Sequence, residues 1–270
     1  MLTGRALIDD MNSCSLADGR MCLWWLGQLS YAVKVDGKML YFDPYLTDEP
    51  RRVVPPLLKP SEVVNAHLVF GSHDHADHID RPAWPGIAEA SPRARFVVPE
   101  LVLDDVARET GIPRERFVPM DDGRRVEIDG LTVTAIAAAH EFLDRDEKTG
   151  LYPYLGYVVE GGSRVVYHSG DTCLYLGLVN KLSRWERFDA MMIPINGRDA
   201  RRLRAGIIGC MTYQEAADLA GLLSPRVTLP GHYDMFENNS LDPKLFIDYM
   251  HAKHPDEDVR LCEHGKRLTI

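Results

Sequence analysis

Short apolar runs broken by Gly, Asp and Pro turns dominate the first third of the chain. MCLWWLG, YAVKVDG and KMLYFDP are apolar-rich and read as hairpin strands. RRVVPPLLKP reads as a loop, because the residue before each proline is pushed out of the helical region. HLVFGSH follows as a buried strand. LVLDDVARET then switches to helical spacing, with Leu101, Val102, Asp105 and Val106 placed for one face. RRVEIDGLTVTAIAAAH returns to strand as a hairpin turning at Asp129-Gly130. The second half continues in this style. YLGYVVEGGSRVVYHSGD is a hairpin turning at Gly161-Gly162, and FDAMMIPI is a buried strand. MTYQEAADLAGLLS is a helix opened by a capping box of Thr212 and Glu215. RVTLPGH is a strand, and LDPKLFIDYMHAKH is the last helix.

Strands come first in each half and covering helices come later. Two mixed β-sheets packed face to face, with helices on the outer faces, satisfy this order: an α/β (α+β) αββα sandwich. No linker or low-complexity segment separates the halves, so residues 1–270 read as one domain.

The loop after HLVF changes the picture. GSHDHADHID crowds three histidines and three aspartates into positions 71–80. A surface turn needs only the Asp and Gly. If strand geometry persists here, His73 and His75 point to one side. Asp77 and His78 follow in a tight turn that can aim a second pair back. One loop therefore offers two donors to each of two cations, and the imidazole–carboxylate mixture suits zinc, iron or manganese. Three more donors directly follow apolar β runs: His140 after LTVTAIAA, Asp171 after RVVYHSG and His232 after RVTLPG. The assignment is His73, His75, His140 and Asp171 for one ion, and Asp77, His78, Asp171 and His232 for the other. A bridging Asp171 would hold the ions roughly 3.5–4 Å apart. A lone HxH is weak evidence, but four donors in HxHxDH plus three more at strand ends are hard to assemble by accident. His168, inside VVYHSGD, reads as a core or supporting histidine. His67, His251, His254 and His264 read as surface or structural.

HxHxDH, a lone His, SGDT and a late GH follow the order seen in the metallo-β-lactamase superfamily, which this chain resembles from about WWLGQ to LPGHYD. The resemblance is strongest to the ascorbate-6-phosphate lactonase branch, carried by WWLGQ, FDPYL, HDHADHID, YHSGDT, NGRD and GHYD. It implies the αββα sandwich of the metallo-β-lactamase type with two divalent metal ions at one edge, manganese in that branch, where histidine-rich donors by themselves favour zinc. It also implies that Asp43, in FDPYL, orients ligand histidines. The chain is shorter than that family between FDPYL and the HxHxDH loop.

Two divalent ions make hydroxide available near neutral pH. Asp77 and Asp171 are the catalytic candidates, Asp77 as the group that takes the proton shed by the tetrahedral intermediate. The basic run NGRDARRLRAG follows a buried strand. Asn196, Arg198 and Arg201 are therefore expected to grip an anionic substrate, since Arg matches phosphate and carboxylate. Tyr175 and Tyr233 flank donors and are expected to reach an oxyanion. Cys173 reads as a small buried filler.

Composition narrows the partners. The chain has 270 residues, 45% hydrophobic, with net charge −9. That charge disfavours a nucleic-acid binder held by phosphate neutralisation. No apolar run reaches the roughly 20 residues of a membrane span. Five scattered cysteines without a CxxC pair predict reduced thiols and a cytoplasmic protein. The expected activity is a lactonase or related ester hydrolase on a small acidic or phosphorylated sugar-acid-like molecule. The alternative is a nucleotide phosphodiesterase on the same core. A non-catalytic metal scaffold is disfavoured because a shared-ligand site leaves open coordination positions, unlike a closed structural zinc site. Homo-oligomerisation stays open: an exposed aromatic patch would mark such a face, but the sequence does not place Trp24, Trp25, Trp84 or Trp185.

Overall fold

The computed structural model describes residues 1–14 and 20–270. Two mixed sheets pack against each other. The first contains β1 (Cys22–Gly27), β2 (Ser30–Val35), β3 (Lys38–Phe42), β4 (Ala66–Phe70), β5 (Arg95–Pro99), β6 (Phe117–Met120) and β13 (Arg267–Thr269). Their spatial order is β13-β1-β2-β3-β4-β5-β6. The second contains β7 (Arg125–Ile128), β8 (Leu131–Ala137), β9 (Leu155–Gly161), β10 (Arg164–His168), β11 (Ala190–Pro194) and β12 (Thr228–Gly231), ordered β12-β11-β10-β9-β8-β7.

Period-two patterning decides which side chains meet. Along β1, Leu23 and Trp25 enter the core shared by the sheets, while Cys22, Trp24 and Leu26 enter the outer cluster. That outer cluster is closed by α1 (Gly4–Ser13), α2 (Trp84–Ala90) and α3 (Leu103–Thr110). The second sheet is covered by α4 (Leu178–Leu182), α6 (Tyr213–Leu223) and α7 (Pro243–Lys253), with α5 (Ala200–Arg204) at its edge. The expected αββα order is what folds.

Where the sequence carried local chemistry, the elements match it. The Thr212–Glu215 capping box closes in both directions, and α3 ends on Gly111 at φ 68°. Other elements differ. Helix α2 contains Pro85 and Gly86, which hide its helical period. Helices α4 and α5 are too short to show one. Three of the tryptophans that the sequence left unplaced are core residues: Trp24 and Trp84 are fully buried and Trp25 nearly so. Cys14 and Cys22 are joined as a disulfide, which corrects the expectation of five reduced thiols; Cys173, Cys210 and Cys262 are free. Folding brings the end of α1 to the start of β1, and no motif announces that approach. Among the described residues, no helix is long and apolar enough to cross a membrane.

The topology places the chemistry at one edge. Strands β3 and β4 are parallel, so Asp43 and the loop 71–80 leave from the same side. Strands β8 and β10 both run antiparallel to β9, and β10, β11 and β12 are parallel. The carboxyl ends of β8, β10 and β12 therefore deliver His140, Asp171 and His232 together.

Candidate metal centre

Strand β4 ends at Phe70, so His73 and His75 do not share a face through strand alternation. The loop folds on itself instead: His75 N–H donates to His73 O at 3.0 Å and Ile79 N–H donates to His75 O at 2.8 Å. This turn brings His73 Nε2 within 2.9 Å of His75 Nδ1.

The structure brings all seven expected donors together. His73, His75 and His140 form one group, and Asp77, His78 and His232 another, each with donor atoms within 4.8 Å of one another. Asp171 stands between them. Its Oδ2 lies 3.0 Å from His232 Nε2, 3.4 Å from His78 Nε2 and 3.6 Å from His140 Nε2. Asp171 is held by a turn whose Gly170, at φ 57°, has no room for a side chain. A Cβ there would stand 2.5 Å from Leu155 O.

Supporting groups orient the rings. Asp43 is fully buried. Its Oδ2 lies 2.6 Å from His78 Nδ1 and accepts from Ser72 Oγ at 2.6 Å, while Oδ1 accepts from Ser72 N–H at 2.8 Å. His140 Nδ1 is 3.0 Å from Gly209 O, leaving Nε2 to face the donors. His168 is buried, stacked on Phe42 and 2.8 Å from Leu29 O, outside the donor set. His264 pairs with Asp234 at 2.5 Å and stacks on Trp25, a structural place.

Electrostatics set these groups against one another. Burial opposes charge on Asp171, yet His232 and His78 hold its carboxyl well below the usual range. Burial also opposes charge on His78, but Asp171, Asp77 and Asp43 raise it well above an ordinary imidazole. His232 is raised in the same way against its burial, chiefly by Asp171. His73 and His140 are pushed down by burial.

The edge fits divalent cations. His78 Nε2, Asp171 Oδ1, His232 Nδ1 and Gln28 Oε1 are buried without a hydrogen-bond partner. Buried polar groups rarely lack partners, and imidazole and carboxylate are the donors that zinc-like ions take. Metal uptake is therefore expected to release protons and to strengthen as pH rises. A ligand imidazole must be neutral, and His78 and His232 keep their protons to higher pH than an ordinary histidine. Below those raised values each ion must displace protons; above them the dependence flattens. Calorimetric zinc titrations in buffers of different ionisation enthalpy, run at acidic and alkaline pH, measure the difference. Equal proton release at both would contradict the scheme.

An open cavity of about 240 Å³ reaches this edge, lined by His75, Asp77, His140, Asp171 and His232 together with Tyr45, Arg51, Phe236, Asn238 and Asn239. The expected substrate-binding residues are not in that lining. Arg198 is tied to Glu215 by two contacts at 2.7 and 2.8 Å and donates to Cys210 O. Asn196 donates to Asn239 Oδ1 at 3.0 Å, behind the lining. Arg201 is exposed on α5. Tyr175 OH donates to Ala137 O at 2.6 Å, and the Tyr233 ring lies 5.1 Å from Trp25.

Four neighbours of the donors escaped the sequence reading. Gln28 Nε2 lies 2.7 Å from Asp77 Oδ2 and 3.2 Å from His232 Nε2. Tyr154 stands 5.3–5.5 Å from the rings of His140 and His73. Ser72 and Cys210 complete the set. Gln28 sat in WWLGQ and Ser72 in GSHDHADHID, both motifs already noticed.

Two covered sheets with a nest of imidazoles and carboxylates at one edge define the class: the metallo-hydrolase sandwich. More narrowly, the chain belongs to the beta-lactamase superfamily, whose domain model matches residues 39–233. It is 28% identical over 250 residues to a UPF0173 metal-dependent hydrolase of Methanopyrus kandleri, covering 91% of this chain and 98% of that one. A UPF0173 metal-dependent hydrolase of Pyrobaculum arsenaticum is 31% identical over 234 residues, 84% of this chain and 90% of the relative. Among solved structures, the metallo hydrolase Igni18 of Ignicoccus hospitalis superposes with a TM-score of 0.73 at 22% identity, covering 93% of this chain and 98% of its own.

Proposed function

We propose that the chain is a two-metal hydrolase of small esters or lactones that carry an anionic group, close in kind to the ascorbate-6-phosphate lactonases. The supporting observation is the donor nest at the cavity edge, with Asp171 Oδ2 facing His78, His140 and His232. His73, His75, His140 and Asp171 would hold one ion, and Asp77, His78, Asp171 and His232 the other. Two such ions supply hydroxide near neutral pH and polarise the substrate oxygen.

The chain's own groups do the rest. Asp77, one-fifth exposed at its side chain, reaches the cavity, and its Oδ2 is the proton acceptor. Gln28 Nε2 donates to that oxygen and fixes its position. Arg51 is the cationic side chain in the lining; it is exposed and paired with Glu49 at 2.8 Å, and it would exchange that contact for the anionic group of the substrate. The arginine cluster 198–204 supports the wall instead: Arg202 donates to Asn239 Oδ1 at 3.0 Å and to Asn196 O at 2.7 Å. A cavity of about 240 Å³ suits a small molecule.

The test pairs matched neutral and anionic lactones and esters, with bis-p-nitrophenyl phosphate alongside, on protein loaded with zinc or manganese. Arg51→Gln is expected to lower kcat/KM roughly tenfold to a hundredfold for anionic substrates, the worth of one charged hydrogen bond. Neutral substrates should change little. Turnover confined to the phosphodiester would replace the lactonase by a phosphodiesterase.

A further inference from the structure

Behind the cavity wall, three residues of the segment NGRDARR converge on one side chain from the turn after β12. Asp199 accepts from Arg202 Nε at 2.7 Å, and Arg202 Nη1 donates to Asn196 O at 2.7 Å and to Asn239 Oδ1 at 3.0 Å. Asn196 Nδ2 donates to the same Asn239 oxygen at 3.0 Å.

This network decides which way round the Asn239 carboxamide stands. Arginine carries only donors, so the atom facing Arg202 must be the amide oxygen. Turned over, the amide would set its own N–H groups against two other donors. With Oδ1 used twice behind the wall, the group left to present is Nδ2–H. Among the described residues nothing accepts from it, it is not among the enclosed polar atoms, and Asn239 lines the cavity. Arg51 belongs to the same wall. Its guanidinium lies 6.0 Å from the centre of the Phe236 ring, and Phe236 O accepts from Asn239 N–H at 2.9 Å. This end of the cavity therefore offers a guanidinium and an amide N–H, with the oxygen of that amide already engaged.

We propose that Asn239 is a specificity-determining residue whose Nδ2–H donates to an oxygen of the substrate's anionic group beside Arg51, and that Arg202 is its positioning residue. This rests on the hydrolase reading above. Two donors select a carboxylate or phosphate, whose ionised oxygens accept. A donor held in place before the substrate arrives gives up little freedom on binding, so more of the bond appears as affinity. The NGRD segment thus acts on the substrate through Asn239 rather than by contact.

The test measures kcat/KM of the metal-loaded full chain on the matched anionic and neutral lactones and esters, with carboxylate and phosphate members assayed separately. The readout is the ratio of anionic to neutral substrate, because lost metal or a loosened fold lowers both together. Asn239→Asp keeps an oxygen for Arg202 and sets a second, negative oxygen where the donor stood, so the ratio is expected to fall about a hundredfold or more. Asn239→Ala should lower it roughly tenfold to a hundredfold, through KM more than kcat. Arg202→Met frees the carboxamide to turn; it should lower the ratio roughly threefold to tenfold, and lower it no further once Asn239 is alanine. A fall confined to carboxylate or to phosphate members supports the proposal and names the group. An unchanged ratio in Asn239→Asp overturns the proposal, and turnover by that variant leaves the hydrolase reading standing. An Arg202→Met effect of equal size in both backgrounds overturns the positioning role. If Arg202→Met fails to fold, the Asn239→Asp ratio still decides. Metal-loaded wild type that turns over no lactone or ester overturns the hydrolase reading and this inference with it.

Discussion

Asp171→Ala is expected to abolish hydrolysis and to drop metal content well below two ions per chain. Asp171 is 3% exposed, and its Oδ2 is the one oxygen facing His232, His78 and His140. Among the described residues, no other carboxylate stands against both donor groups, so its loss separates them. Folding should suffer as well. Asp171 is the leading electrostatic support for protonated His78 and His232. Without it those imidazoles face each other, ring centroids 5.7 Å apart, with less counter-charge. Removing one partner of a buried ion pair costs about 3–5 kcal/mol. Losing Asp171 removes the main cause that raises both imidazoles, so they shed protons at lower pH than in the wild type and relieve part of this cost at high pH; the deficit therefore grows as pH falls. Metal analysis by mass spectrometry, turnover and thermal unfolding at two pH values follow all three effects. A variant that keeps two ions and full turnover would remove Asp171 from the centre.

The second large effect is expected from a residue that need not touch metal. Asp43→Ala leaves Ser72 N–H, Ser72 Oγ and His78 Nδ1 facing a void where two carboxylate oxygens stood. Each orphaned buried donor costs about 1–3 kcal/mol. Asp43 also sits at φ 44°, a left-handed conformation that aspartate tolerates better than alanine. Loss of the ring's support is expected to weaken metal binding about 10–100-fold. Asp43→Asn keeps the shape and one acceptor, so it should recover most of the stability and less of the affinity. Zinc competition against a chromophoric chelator separates the two. Wild-type affinity in folded Asp43→Ala would show that His78 needs no such support.

Much of the donor set was legible because chemistry and local pattern coincide there. HDHADH packs four donors into one loop, and His140, Asp171 and His232 each end an apolar run that could only be a buried strand. The Thr212–Glu215 cap and the helical spacing of α3 and α7 were equally local. The residues that line the cavity were less legible, for a physical reason. A basic cluster looks free in sequence, but Arg198 meets Glu215, a partner 17 positions away that neutralises it. Arg51, which lines the cavity, belongs to a proline-rich loop with no period to read.

What the sequence determined by itself is therefore the set of strands, their buried faces and the donors at their ends, since alternation and turn chemistry act over a few residues. What only the tertiary structure decided is which distant groups meet: Asp43 under His78, Gln28 against Asp77, Glu215 on Arg198 and Cys210 beside His140. Those pairings depend on strand order and on how two sheets close over one edge. Local pattern carries no information about distances across that edge.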